Sequence, residues 1–423
     1  MNKTAEQSPA SFNHLRPEFR HLAERRQRRG LSQGIMNEHF LYRVGGSLTW
    51  NDPSYIKRQA DSELQAALVS GQFAYVLAPR QMGKSSLRVR TRHELVQMGY
   101  QCVTLHANQL SDYLSNEAPA STTEDALWAT QLIAAIWDGL FRGVGGSVGD
   151  SAERESCLRW LKSSVGQAPL TRLSYFVENF LAGPLSKGPL VIFMDEVEAL
   201  LEMPFSPTFF RWVAQCYERK LRQHPGDEIY RNLNFVVLGS AIASEIPQYN
   251  ALFTRGCNVL LTPLQHIETY KLQQGFEEKL DNPTAVIRAV FRWTYGQPFL
   301  TQKLCQMLST GLHSFVEPSV KPLTLSIRAI NRWVDETVRS QLIEDWPNQD
   351  EPVHLRAMHA RIVRSPNKTA LLSLYRKVLL NEPPVLVRDS YIEAELLLSG
   401  LVIAENGYLK VANDIYRQVF TLK

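Results

Sequence analysis

The sequence predicts an α/β fold: a parallel sheet covered by helices, followed by a mostly helical C-terminal half. Three observations predict it. The short apolar runs "FAYVLA" (73–78), "QCVTLHA" (101–107), "PLVIFMD" (189–195) and "NFVVLGSA" (234–241) lack the polar alternation of half-exposed strands and read as strands buried on both faces. Helical periodicity lies between them, and strand, helix, strand is the grammar of a parallel sheet. From residue 266 the pattern is mainly helical until an Asn-Gly pair at 406–407 joins two last strands, the signal of a hairpin.

Taken in order, residues 1–43 read as a loosely held basic tail. Over residues 1–44, eight Lys or Arg (Lys3, Arg16, Arg20, Arg25, Arg26, Arg28, Arg29, Arg43) stand against four acids, and that excess of four equals the +4 of the whole chain. The run "ERRQRRG" suits nucleic acid or an acidic partner, or is a solvated, partly helical tail. Asp52 as cap and Pro53 in the first turn predict a helix over about 53–70, with Ile56, Leu64 and Leu68 near one face. After the strand at 73–78, "SSLRVRTRHELVQMG" reads as a helix ending at Gly99. Within 108–189, "ATQLIAAIWDGLF" is helical, whereas "GVGGSVGDS" lacks the lysine and strand context of a phosphate loop and reads as a flexible connection. The strand at 189–195 ends in Asp195–Glu196, and the next ends at Ser240. Helices follow in "TAVIRAVFRWTYGQPFLTQKLCQMLST" and "SIRAINRWVDETVRSQLI", with two more after Trp346–Pro347. Helices closed by a hairpin suggest a winged helix. The division is a tail at 1–43, a core at 44–265, a helical lid at 266–345 and a winged-helix domain at 346–423.

Composition narrows the function classes. A chain of 423 residues with 44% hydrophobic and 21% charged residues is globular and long enough for two to four domains. No apolar run reaches membrane-spanning length, so no membrane partner is expected, and the N-terminus lacks the apolar core of a secretory signal. Five widely spaced cysteines without a C-x-x-C argue for reduced thiols in a cytoplasmic protein and against a zinc site or disulfide framework.

The chemistry centres on "VLAPRQMGKSSLRVR" at Val76–Arg90. The phosphate-loop pattern G-x-x-x-x-G-K-[ST] is met at Gly83, Lys84 and Ser85, but Ala78 replaces the first glycine. Such a loop aims backbone N–H groups at an anion from a helix N-terminus, so Pro79, Arg80, Gln81, Met82, Gly83, Lys84, Ser85 and Ser86 are the candidate phosphate contacts. Lys84 would reach the β/γ-phosphates and Ser85 would ligate Mg²⁺. If the position of Ala78 needs φ > 0, alanine is strained there by roughly 1 kcal/mol. The plain alternative is an ordinary strand-to-helix turn with an exposed lysine. Context favours the loop, since about 110 residues on an apolar strand ends in Asp195–Glu196. There Asp195 would hold Mg²⁺ and Glu196 would polarise the attacking water, or the two are a solvated strand end. Glu198 is expected to face solvent. Ser240 either senses the terminal phosphate or bonds backbone.

These pieces together resemble the AAA-like P-loop ATPases related to the STAND signal-transduction NTPases, a group common in cyanobacteria. The carrying motifs are "YIKRQAD", "RQMGKSSLRVRT", "VIFMDEVEALL", "GQPFLTQKLC" and "LLLSGLVIAENGYLKVANDIYRQVF", and the likeness covers about nine-tenths of the chain. The resemblance implies an αβα ATPase core, a helical lid and a winged helix, with ATP or ADP and Mg²⁺ as cofactors. It places Gly296-Gln297-Pro298, otherwise a turn between helices, near the base, with Pro298 in contact, and makes Tyr55, Ile56 and Arg58 candidates for base contacts. Group members tolerate a non-glycine where Ala78 stands. Many also carry β-propeller repeats or another module after this core, whereas this sequence stops at Lys423, so input or output is expected from the tail, a protein partner or the winged helix. Arg219, Arg222, Arg231 and Arg255 are equal candidates for an arginine acting in trans within a nucleotide-dependent oligomer. Three functions compete: an ATP-driven switch with slow hydrolysis, a DNA-binding ATPase, and an ATP-binding scaffold. Residues 346–423 hold ten Lys or Arg and eight acids, little excess for a DNA reader.

Overall fold

The computed structural model describes residues 40–107, 124–142, 151–222, 224–313 and 322–421. The basic run at 1–39 and the glycine-rich connection at 143–150 lie outside the described residues. In chain order the first half comprises α1 (Gln59–Val69), β1 (Ala74–Leu77), α2 (Lys84–Gln97), β2 (Gln101–His106), α3 (Glu124–Arg142), α4 (Ser151–Ser163), α5 (Pro169–Asn179), β3 (Leu190–Asp195), α6 (Val197–Leu201), α7 (Ser206–Arg222), β4 (Leu233–Gly239) and β5 (Cys257–Asn258). The sheet runs β2-β3-β4-β1-β5, and every neighbouring pair is parallel. One strand, β4, therefore stands between β1 and β3.

The apolar runs are continuous because both sheet faces are covered. Val76, Val191, Phe193 and Leu238 pack with Leu64 and Leu68 of α1 and Leu87 of α2. Val103, Ile192, Met194 and Val237 pack on the other side with Ile136 of α3, Phe176 of α5 and Trp212 of α7. Register then sets the site. Leu77 pairs with Gly239 and Met194 with Val237. The loop after β1, Asp195 and Ser240 thus emerge together at the C-terminal edge of the sheet, where ligands of open α/β sheets bind.

The helix expected over 53–70 occupies only Gln59–Val69. Asp52 does not cap it: its carboxylate pairs with Arg43 at 2.7 Å and accepts the Ser54 N–H and hydroxyl at 2.9 and 2.6 Å. That local turn competes with helix. Asp61 does the capping work instead, accepting the Arg58 N–H at 2.8 Å.

The second half holds α8 (Pro283–Thr294), α9 (Pro298–His313), α10 (Ile327–Val338), α11 (Leu355–Arg364), α12 (Lys368–Leu380), β6 (Val385–Leu386), α13 (Tyr391–Ser399), β7 (Val402–Glu405), β8 (Tyr408–Val411) and α14 (Asp414–Val419). The strands form an antiparallel sheet in the order β6-β8-β7. Asn406 and Gly407, at φ 52° and 81°, make the two-residue turn between β7 and β8. One hydrophobic cluster runs from Leu272 through Leu304 and Val334 to Leu396 and Tyr416, and it also takes in Tyr42 and Ile56. Residues 266–345 and 346–423 thus share a core, and the Tyr42 hydroxyl donates to the Leu272 carbonyl. Among the described residues no helix is long and apolar enough to cross a membrane. All five cysteines are free thiols.

Candidate functional site

The loop from Ala78 to Gly83 joins β1 to α2. Ala78 continues the sheet, its N–H bonded to the Gly239 carbonyl at 3.1 Å. It is not among the positive-φ residues, so an alanine methyl carries no strain there. The left-handed positions are Gln81, at φ 61°, and Gly83, at φ 91°. Gly83 precedes α2, and a Cβ on it would lie 2.9 Å from Arg58 Nη2, which is why glycine is required at this position and not at 78.

Lys84 folds back over the loop. Its amine donates to the Ala78 carbonyl at 2.7 Å, the Pro79 carbonyl at 2.8 Å and Ser240 Oγ at 2.9 Å. Ser240, itself buried, donates a hydrogen bond from its hydroxyl to the Ala78 carbonyl at 2.9 Å. Burial lowers the lysine pKa to about 8, with the cationic Arg80 and Arg361 acting in the same direction and the negative Glu198 and Asp195 opposing. Asp195 therefore lies on the lysine's side of the molecule and within its field.

The buried Asp195 is already engaged. Its Oδ2 accepts from Arg88 Nε at 2.8 Å, and Oδ1 accepts the Glu196 N–H at 3.0 Å. Arg88 sits one turn after Lys84 on α2 and also donates to Thr104 Oγ1 on β2 at 3.2 Å. Ser85, the second residue of α2, is half-buried, and the Ser86 hydroxyl accepts the Leu48 N–H at 3.0 Å. Mg²⁺ is commonly held through one or two carboxylates with several of its waters retained. A carboxylate has about four acceptor positions, so Asp195 keeps capacity beside Arg88. With Ser85 it suits a hydrated ion. Among the described residues no group of three or more His, Cys, Asp and Glu forms a cage.

The two glutamates after Asp195 are placed differently. Glu196 is exposed and left-handed, at φ 62°, at the start of α6. Glu198 does not face solvent as the sequence led us to expect. It is half-buried, and its Oε2 accepts the Ser240 N–H at 2.8 Å. Gly239 makes this possible: a Cβ there would stand 2.4 Å from Val197 Cγ1 and 2.5 Å from Glu198 Oε2. The i, i+2 spacing of acids in "DEVE" was the available signal, but only the short α6 turns Glu198 back onto β4.

Two recesses flank the loop. A small cleft of about 110 Å³ is lined by Tyr55, Ile56, Arg58, Gly83, Ser86 and Pro298, among others. Arg58 is buried and donates to the Met82 carbonyl at 2.9 Å and the Thr262 carbonyl at 3.2 Å. Burial lowers its pKa, an effect that the neighbouring Tyr55 and Asp61 oppose. The Tyr55 hydroxyl donates to Asp61 at 2.6 Å, and burial followed by that carboxylate pushes its pKa up. Pro298 opens α9 after Gly296, where a Cβ would meet the Leu264 carbonyl at 2.1 Å. A larger cavity of about 730 Å³ is lined by Pro79, Arg80, Gln81 and Met82 of the loop and by the C-terminal residues His354, Arg361, Arg364, Ser399 and Gly400, among others. Gln81 crosses the boundary, donating to the Val353 carbonyl at 3.0 Å. Thus Tyr55, Arg58, the loop, Asp195, Ser240 and Pro298 gather around one edge of the sheet, and Arg361 and Glu198 join them unanticipated.

A parallel sheet with a strand between the lysine-loop strand and the aspartate strand, both ending at this site, is the P-loop NTPase fold. The chain is similar over 89% of its length to the Walker-type ATPase of Pyrococcus abyssi, covering 99% of that chain, with a TM-score of 0.51 and 14% identity; that likeness is one of fold. The ORC2 protein of Aeropyrum pernix is a more distant match, with a TM-score of 0.39 and 15% identity over 85% of this chain and 90% of that one. In sequence the chain is 31% identical over 383 residues, 90% of its length, to an uncharacterized WD repeat-containing protein of Synechocystis sp., of which it spans 30%. No protein-family profile matches.

Proposed function

We propose that this chain binds ATP and ADP with Mg²⁺ and works as a nucleotide-dependent switch of the AAA/STAND-like type, hydrolysing ATP slowly. The observation that carries the reading is the Lys84 amine, folded over its own loop onto two carbonyls and Ser240 Oγ within the field of Asp195. A lysine so held has neutral partners that a phosphate outcompetes. The backbone N–H groups of 80–86, at the N-terminus of α2, supply the rest of the anion site. Ser85 and Asp195 would hold a hydrated magnesium ion, which when bound would supply charge neutralisation to the phosphates. Tyr55, Arg58 and Pro298 flank the base. Glu196 orients water, and its exposed position together with the Arg88 guanidinium on Asp195 supports slow turnover.

In this reading residues 44–265 are the ATPase core, 266–345 the lid and 346–423 a winged helix, with a protein as the further partner and a cytoplasmic setting. Nucleotide shifts the arrangement of these parts only by binding two arrangements unequally. Equilibrium binding of a fluorescent ATP analogue to the full chain tests the reading: Lys84→Ala abolishes or strongly weakens binding, and unchanged affinity removes Lys84 from the site. Steady-state phosphate release from wild type and Glu196→Gln separates a switch from an inert scaffold, since equal background release in both denotes a scaffold.

A further inference from the structure

We infer that Gln302 of α9 selects the base: its buried amide oxygen accepts an N–H of the exocyclic amine of adenine, so the cleft beside Pro298 takes adenine nucleotides and rejects purines that lack that amine. The inference rests on the nucleotide reading above and adds the residue that sets base specificity.

Two glutamines one turn apart on α9 share a helix face and grip the segment that precedes α1. Gln306 Nε2 donates to the Tyr42 carbonyl at 3.0 Å, and Gln302 Nε2 donates to the Ser54 carbonyl at 2.8 Å. Gln306 is exposed, so a clip is all its amide need be. Gln302 is only 7% exposed, and among the described residues no donor reaches its buried Oε1. A buried acceptor left without a donor is costly. The orientation of this amide is fixed, because exchanging its two ends would set oxygen against the Ser54 carbonyl oxygen. Ser54 is fixed in turn. Its N–H and hydroxyl donate to Asp52 at 2.9 and 2.6 Å, and Asp52 pairs with Arg43 at 2.7 Å. The turn that keeps Asp52 from capping α1 therefore aims the amide of Gln302. Gln302 lines the cleft of about 110 Å³ together with Tyr55, Arg58, Gly83 and Pro298. Arg58 Nε, on the same cleft, has no acceptor. The recess thus offers one unpaired acceptor and one unpaired donor. Adenine complements both, since its amine donates and its ring nitrogens only accept. With its phosphates on Gly83 and Lys84, a purine nucleotide turns the base edge remote from its sugar, the edge that carries the amine, toward α9. Guanine and hypoxanthine carry a carbonyl oxygen in place of that amine, and there it would meet a second acceptor.

The test measures the affinity of the full chain for ADP, for the diphosphate of purine riboside, which lacks only the amine, and for IDP, in wild type, Gln302→Met and Gln302→Asn. Diphosphates keep turnover out of the measurement. In wild type, loss of the amine should weaken binding about 10- to 100-fold, the consequence of leaving a buried acceptor unpaired, and IDP should bind no better than the purine riboside compound. In Gln302→Met, ADP affinity should fall toward that of the purine riboside compound, leaving a gap below about threefold. Gln302→Asn draws the amide back by one methylene and should narrow the gap too, so it carries the test if Gln302→Met does not fold. A glutamine that only clips α9 to Ser54 would lower the affinity for all ligands alike and keep the gap, and that result overturns the inference. Wild-type protein that binds ADP and the purine riboside compound to within about threefold also overturns it, while leaving the nucleotide reading in place. Wild-type protein that binds none of the ligands overturns the nucleotide reading itself, a result visible before any variant is made.

Discussion

The loop lysine makes a pH prediction that depends on its burial. Lys84 has a pKa of about 8 in the free protein, lowered chiefly by burial, and a bound triphosphate must raise it, since an anion within contact favours the charged amine. Ligand binding and protonation are then linked. Below pH 7 the amine is at least roughly nine-tenths charged and affinity is flat. Above pH 8, binding must also restore the proton, so affinity falls about tenfold per pH unit, which is about 1.4 kcal/mol per unit, until the pKa of the complex is reached. Between pH 7 and 9.5 the dissociation constant of an ATP analogue should therefore rise at least tenfold. Isothermal titration in two buffers of different ionisation enthalpy reads both the affinity and the proton uptake, which is absent near pH 6 and approaches one proton near pH 9. Lys84→Met, if it binds at all, removes the uptake. A dissociation constant constant to within a factor of two across that range refutes the burial of the amine and its role as phosphate ligand together.

Three other perturbations have definite signs. Gly83→Ala puts a Cβ at φ 91°, 2.9 Å from Arg58 Nη2, and should cost about 1–2 kcal/mol for the left-handed backbone alone, read as a lower denaturant midpoint; Ala78→Gly, where φ is not positive, should not raise stability by relieving any strain. Ser240→Ala removes the acceptor for Lys84 and the donor to the Ala78 carbonyl, with an expected loss of about 1–3 kcal/mol in urea unfolding. Arg88→Ala strands the buried Asp195 carboxylate and should destabilise by about 3–5 kcal/mol at neutral pH, whereas the double change Arg88→Met with Asp195→Leu should recover most of that loss.

The strands were legible because burial on both faces leaves an unbroken apolar signature, and because polar residues, Asp195–Glu196 and Ser240, stand where β3 and β4 end. The loop was legible from Gly83-Lys84-Ser85, and the structure explains why Ala78 does no harm: it extends β1 and pairs with Gly239. What escaped were contacts made across long sequence distance by residues with ordinary local roles. Arg361 reads as one more cation on an amphipathic helix, and nothing within α11 announces that Ser240, 121 residues earlier, is its partner. Glu198 reads as a helix-surface acid, and its return to β4 depends on the missing side chain of Gly239. The misplaced start of α1 has a local cause, since Asp52 has a better partner in Arg43 than in a helix end.

Tyr42 gives the path of the chain a mechanical meaning. Its ring sits in the C-terminal cluster beside Phe276, and Ile56 joins the same cluster, while Ala60 and Leu64 already belong to the sheet half. The polypeptide is thus moored to the far body at Tyr42 and Ile56 before it enters the near one at Ala60, and Arg58 lies on the tether between the two moorings. A displacement of one body relative to the other would therefore be felt first at residues 57–59, where Arg58 holds the Met82 carbonyl of the loop.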